Sequence, residues 1–181
     1  MERLPSLIPN NNDPRRQVAL VIGASGGIGS AVVASLLSKG WDVIAAARHE
    51  DKLESALAPF SGTGQLKIAT LDASDSSAVT SFFDSIVKEF GRLDGMVNCA
   101  GSILLKPAHL ISDEEFEETL SLNLKTAFYL LRPSVRMMMK QPEGGSIVFC
   151  SSVAAQRGLM NHEAIAAAKA GIEGMALAAA S

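Results

Sequence analysis

Gln17-Val18-Ala19-Leu20-Val21-Ile22 runs directly into Gly23-Ala24-Ser25-Gly26-Gly27-Ile28-Gly29. The first six residues are a short, β-branched run that reads as a buried strand. The glycines that follow permit positive φ and close approach of the backbone. From Gly27 to Ser38, apolar residues recur at helical spacing (Ile28, Val32, Leu36), and the pattern stops at Gly40. A strand, a glycine turn and a helix N-terminus in this order present free N–H groups and a positive dipole to a pyrophosphate. The plainer alternative is a tight strand–helix turn with no ligand. No Gly-Lys-Ser/Thr follows, so the turn is not a P-loop.

Outward from this unit the alternation continues. Strands are expected over Asp42–Ala47, Leu66–Leu71, Leu93–Cys99 and Gly145–Cys150. A short helix is expected over Asp51–Ala58, ended by Pro59. A longer one spans Asp75–Phe90, with Val79, Phe82, Phe83 and Ile86 inward and Gly91 closing it. Ser112 and Glu115 form a capping box. It opens a long helix through Phe116, Leu120, Leu124, Phe128 and Leu131, which Pro133 bends or ends. Asn161 is the expected cap of a last helix that is still running at Ser181. Strands alternating with helix-length crossovers give an α/β fold. It is a doubly wound parallel sheet, Rossmann-like, in three α/β/α layers. Residues 1–16 are polar and broken by Pro5, Pro9 and Pro14, which predicts a flexible N-terminal tail before a single domain over 17–181.

Composition narrows the function classes. Of 181 residues, 48% are hydrophobic, as suits parallel strands covered on both faces. A net charge of −3 gives no general pull toward nucleic acid or anionic membrane. Lys39, Arg48, Lys169 and Glu173 interrupt the apolar runs before any reaches spanning length. The expected partner is therefore a small molecule, with no nucleic acid and no membrane, and the expected location is cytoplasmic. The histidines are scattered and nothing has metal-ligand spacing. Cys99 and Cys150 each fall near the end of a predicted strand and read as reduced, buried thiols that meet if those strands are neighbours.

Three motifs, in register with the strands, carry a resemblance. The glycine turn has the G-x-x-x-G-x-G spacing through Gly23, Gly27 and Gly29. Leu71-Asp72 ends the third strand, and Asn98-Cys99-Ala100-Gly101 ends the fourth. With Ser152 and Lys169 further on, the chain resembles the short-chain dehydrogenase/reductase family over essentially all of residues 17–181. That family continues with two more strands and further helices, so the fold is expected to be truncated after the helix that follows the fifth strand.

The resemblance implies a nicotinamide dinucleotide. Gly23, Ser25, Gly27, Ile28 and Gly29 are its expected cradle, with Asp72 against the adenine and Asn98, Ala100 and Gly101 along the groove. The second strand ends Ala46-Ala47-Arg48, with no carboxylate to accept from a ribose 2′-hydroxyl. Arg48 offers a planar charged fork to a 2′-phosphate, which favours NADP over NAD; a solvated surface arginine is the alternative. The family's catalytic set maps onto Asn123, Ser152 and Lys169, each with a bland alternative: a helix-backbone bond, a loop cap and a solvated lysine. The family's Tyr, four residues before the Lys, is here Ile165, which has no proton to give. His162 shares a helix face with Ile165 and Lys169 and is a substitute acid/base, or else a surface histidine beside a cap.

Two functions follow as expectations. One is an NADP(H)-dependent oxidoreductase acting on a carbonyl or alcohol substrate. The other is a catalytically inactive nucleotide-binding protein acting as a partner subunit. The resemblance also implies a homo-oligomer through helices 112–140 and 162–181, with Met137, Met138 and Met139 on the shared face.

Overall fold

The computed structural model describes residues 16–181. Except for Arg16, the tail expected over 1–16 lies outside the described residues. Arg16 itself is held, its Nη1 lying 3.1 Å from Asp42 Oδ1.

Five parallel strands form one sheet in the order β3-β2-β1-β4-β5. They are β1 (Val18–Ile22), β2 (Asp42–Ala47), β3 (Leu66–Thr70), β4 (Gly95–Asn98) and β5 (Ser146–Phe149). β1 and β2 are buried along their whole length. Alternate residues of β1 serve opposite layers, because side chains of a strand point to opposite faces. Val18, Leu20 and Ile22 join a core with Val79, Phe83, Ile86, Met96 and Leu130. Val21 joins Val33, Val43, Leu53 and Leu57 on the other side. The helices α1 (Gly27–Ser38) and α2 (Glu50–Leu57) cover the second face. Covering the first are α3 (Ser76–Phe90) and the C-terminal part of a helical run from Asp113 to Met138.

That run has three parts: α4 (Asp113–Leu120), a π-helical segment (Ser121–Lys125) and α5 (Thr126–Met138). The expected capping box is present, with Glu115 N donating to Ser112 Oγ at 3.2 Å and Ser112 N to Glu115 Oε2 at 2.9 Å. Pro133 lies inside α5 and does not end it. Next to the Tyr129 carbonyl that Pro133 deprives of its helical donor, Ser134 Oγ donates to Leu130 O at 2.7 Å. The last helix, α6 (Glu163–Ala179), packs on α4 and on the π segment.

Three expectations need correction. Asn161 does not cap α6: it stands at φ +64°, His162 occupies the N-cap position, and no side chain makes a cap hydrogen bond. The left-handed turn at Asn161 uses the tolerance of asparagine for that region. Ile28 is not on the inner stripe of α1: it is 66% exposed, while Gly29 and Val33 are buried. The cause is the contact at Gly29 described below, which centres the helix on that residue. Met138 does not belong to an outer face, since it is buried in the core and only Met139 of the three methionines is strongly exposed.

Candidate nucleotide-binding and catalytic site

The strand order reverses between β1 and β4, and in open α/β sheets ligands bind outside the carboxyl ends of the strands at such a switch point. Both strand ends here are closely fitted. Gly23 has φ +76°, and a Cβ there would lie 2.7 Å from Ala100 N. A Cβ at Gly29 would lie 2.3 Å from Gly23 O, so α1 sits directly on the turn. Cys99 N donates to Ile22 O at 2.9 Å and Gly23 N to Ala46 O at 2.9 Å, tying the turn to β4 and β2. The N-cap of α1 is Gly26, with no side-chain acceptor, and its first turn holds no acidic residue. Its leading N–H groups and dipole are therefore left for an anion, as a pyrophosphate requires.

One cleft gathers Gly23, Ser25, Arg48, Asp72, Ala100 and Gly101 from the ends of β1, β2, β3 and β4. Arg48 is exposed. The Asp72 carboxyl is held below the usual range first by the hydroxyl and then by the backbone N–H of Ser74, with a further contribution from Arg48. Both Ser74 bonds fall on Oδ1, at 2.6 and 2.9 Å, leaving Oδ2 for another donor. Asn98 lies buried beneath the cleft, where its Oδ1 accepts from Ala100 N at 3.0 Å and shapes the turn after β4. Sequence reasoning missed Ser74, whose spacing of two from Asp72 is an Asx-turn signal. It also missed Leu122 and Thr126, which reach the cleft from the π segment and the start of α5. Nothing local in the sequence marks them.

Deeper in, Lys169, Asn123 and Gly101 converge. A Cβ at Gly101 would lie 2.7 Å from Asn123 Oδ1 and 3.4 Å from Lys169 Nζ. Lys169 is buried, not solvated, and its Nζ donates to Cys150 O at 2.9 Å. Loss of hydration pushes its pKa down, with the two neighbouring cysteines opposing. Asn123 is fully buried; its Nδ2 donates to Thr119 O at 2.9 Å and to Ser102 Oγ at 3.2 Å. It thus bonds its own helix and also bridges to the loop after β4. Ser152 Oγ accepts from Ala154 N at 3.2 Å and caps a short 3₁₀ turn over Val153–Ala155.

Ile165 is buried, one turn before Lys169. His162 is not joined to the Lys169 cluster. It borders a separate cleft lined by residues of the 154–159 loop, and its Nδ1 lies 2.7 Å from Met160 O. A carbonyl can only accept, so Nδ1 carries the proton of the neutral ring and Nε2 is left as an acceptor. Tyr129 packs against the core beside α3 and takes no part.

Over residues 17–181 the chain matches the family model described as short chain dehydrogenase, and it belongs to that family. The family is one of NAD(P)-binding oxidoreductases, and the glycine turn, the uncapped helix start and the Asn123–Lys169 cluster fit such a cofactor. The chain is similar to D-threitol dehydrogenase of Mycolicibacterium smegmatis, 35% identical over 160 residues, covering 88% of this chain and 61% of that protein. It is 33% identical to the NADP-dependent (R)-specific alcohol dehydrogenase of Lentilactobacillus kefiri, over 76% of this chain and 54% of that one. Among solved structures, a short-chain dehydrogenase from Streptomyces avermitilis superposes with a TM-score of 0.84 at 26% identity, over 90% of this chain and 59% of that chain. The chain thus spans about 60% of the length of the first curated relatives it matches. No helix among the described residues is long and apolar enough to cross a membrane.

Proposed function

We propose that the chain binds NADP(H) at the switch point, with NAD the weaker ligand, and serves the oxidoreduction of an alcohol or carbonyl substrate. The observation that carries this reading is the convergence of buried Lys169 and Asn123 on Gly101, in the loop that also borders the glycine-turn cleft. Bound nicotinamide supplies or receives the hydride. The chain's own residues hold and orient. The N–H groups at the start of α1 take the pyrophosphate, and Asp72 Oδ2 accepts from the adenine amino group. Arg48 pairs with the 2′-phosphate through charge-assisted bonds. The Lys169 ammonium has three donors; one is spent on Cys150 O and the others are available to the ribose hydroxyls. Ser152 holds the substrate oxygen.

The proton route does not use position 165. His162, the expected substitute, stands in a separate cleft away from Lys169 and offers no proton route in this arrangement. A second reading, nucleotide binding without turnover as a partner subunit, is favoured by the buried aliphatic side chain of Ile165 beside the retained lysine. Steady-state assays in both directions with NADP⁺ and NADPH separate the two. Turnover in either direction supports the first reading, and absent turnover with intact binding supports the second. Neither binding nor turnover overturns both.

Cytoplasmic location and self-association through residues 112–140 and 162–181 complete the proposal. Phe116, Phe128 and Leu177 are exposed apolar residues on those helices. A monodisperse monomer by light scattering at micromolar concentration overturns the self-association.

A further inference from the structure

Cys99 and Cys150 have no part in the nucleotide or substrate contacts above, yet they occupy matched positions. Asn98 pairs with Phe149 in the parallel register of β4 and β5. Cys99 and Cys150 are the residues that immediately follow each strand. Neighbouring strands run about 4.8 Å apart, which falls within the Cα separation that a disulfide spans. The two Sγ atoms lie 3.9 Å apart and both thiols are free. Cys99 lines the cleft of the glycine turn, so a small solute in the cleft reaches it. The carbonyl of Cys150 is the acceptor that holds Lys169 Nζ. Burial, and then the adjacent Cys150 sulfur, push the Cys99 thiol up to about 12, so Cys99 rests protonated and is a slow nucleophile.

We propose that Cys99 and Cys150 form a reversible disulfide that disables the cofactor cleft, with a small-molecule disulfide of the glutathione type as oxidant. One protein thiolate attacks a sulfur of the oxidant and expels the first small thiolate, leaving a mixed disulfide. The second cysteine loses its proton, attacks the protein sulfur and expels the second small thiolate. The protein gives up two protons and two electrons, and the oxidant is reduced to two thiols. Closing the Sγ separation from 3.9 Å to a bond of about 2.05 Å rotates the two side chains and ties the residues that follow β4 and β5 to each other. The tie falls on the residue whose carbonyl anchors Lys169 and on the residue that lines the cleft. This consequence for binding rests on the nucleotide reading of the cleft; the disulfide itself does not.

The full chain is incubated with glutathione disulfide, quenched with acid and weighed intact. The expected result is loss of the mass of two hydrogens and of both titratable thiols, restored by dithiothreitol. Cys99→Ser and Cys150→Ser, each with one thiol remaining, instead gain a single glutathione. A parent that only accumulates glutathione adducts, or keeps both thiols, overturns the disulfide. Calorimetry with NADPH then compares oxidised and reduced parent, with an affinity drop of tenfold or more expected. Unchanged affinity overturns the lock while leaving the disulfide standing. A reduced parent that does not bind NADPH overturns the nucleotide reading and the lock with it, independently of the mass result.

Discussion

Ile165 and Lys169 are stacked one helical turn apart on the buried face of α6, with exposures of 3% and 8%. The cluster thus sets a buried amine beside a buried hydrocarbon side chain. Ile165→Tyr adds a larger ring to a packed position, and overpacking of this kind costs about 1–3 kcal/mol. The expected outcome is a lower urea midpoint. In a chain that also carries the segment present in the longer relatives, a gain in ketone reduction of ~10²-fold or more should accompany it. NADPH oxidation by that longer variant, no faster than with Ile165, would argue against residue 165 as the missing donor.

Arg48 should set cofactor choice. Losing a charge-assisted contact to phosphate costs about 1.5–3 kcal/mol. Arg48→Ala is expected to weaken NADPH binding accordingly and to leave NADH almost unchanged. Calorimetry with both nucleotides decides it, and equal affinities in the parent would sink the assignment.

Two glycines of one turn should respond differently. A Cβ at Gly29 meets Gly23 O at 2.3 Å, whereas one at Gly27 meets nothing within 4 Å. Backbone cannot give way as a flexible side chain does. Gly29→Ala is expected to lose roughly 1–3 kcal/mol of stability together with nucleotide affinity. Gly27→Ala should keep its stability within about 0.5 kcal/mol. Urea titration of the two variants checks the contrast.

Alkaline pH should act on two neighbours in opposite senses. A thiol in the unfolded chain ionises near 8.5, while Cys99 in the folded chain holds its proton up to about 12. Its contribution is full below ~8.5 and is lost as pH rises above that value. The folded pKa of Lys169 is lowered by burial. The penalty for burying its charge persists at low pH and is relieved as pH rises from the folded pKa toward ~10.4. Between pH 7 and 10 the stability change should therefore be more favourable than the parent's in Cys99→Ala and less favourable in Lys169→Met. Urea midpoints under reducing conditions measure it, and the reverse ordering would count against both shifts.

The order of elements was legible because buried parallel strands are continuous apolar runs punctuated by glycine. All five strands end within two residues of the ranges expected, and β2 coincides with its range. The glycine turn was legible because its residues are consecutive, and the Ser112–Glu115 box because it is a local pattern. Less was legible where distant segments meet. Ser102 as the partner of Asn123, Leu122 and Thr126 in the cleft, and the inward turn of Met138 depend on how helices seat on the sheet. The separation of His162 from Lys169 had the same origin. Helical spacing put them on one face, but the left-handed turn at Asn161 and the bond to Met160 O set the imidazole in another cleft.

The π segment at 121–125 makes the long helical run two rotors in fixed phase. A π turn is what a helix becomes when it absorbs an extra residue without unwinding. The phase it sets lets α4 meet α6 while α5 meets the sheet, and it leaves Asn123 aimed at Ser102. Removing one residue from this segment would leave an ordinary α ladder and change which of residues 121–125 stands opposite Ser102. The chain's length through residues 121–125 is thus itself a determinant of the site, as specific as the identity of any side chain in it.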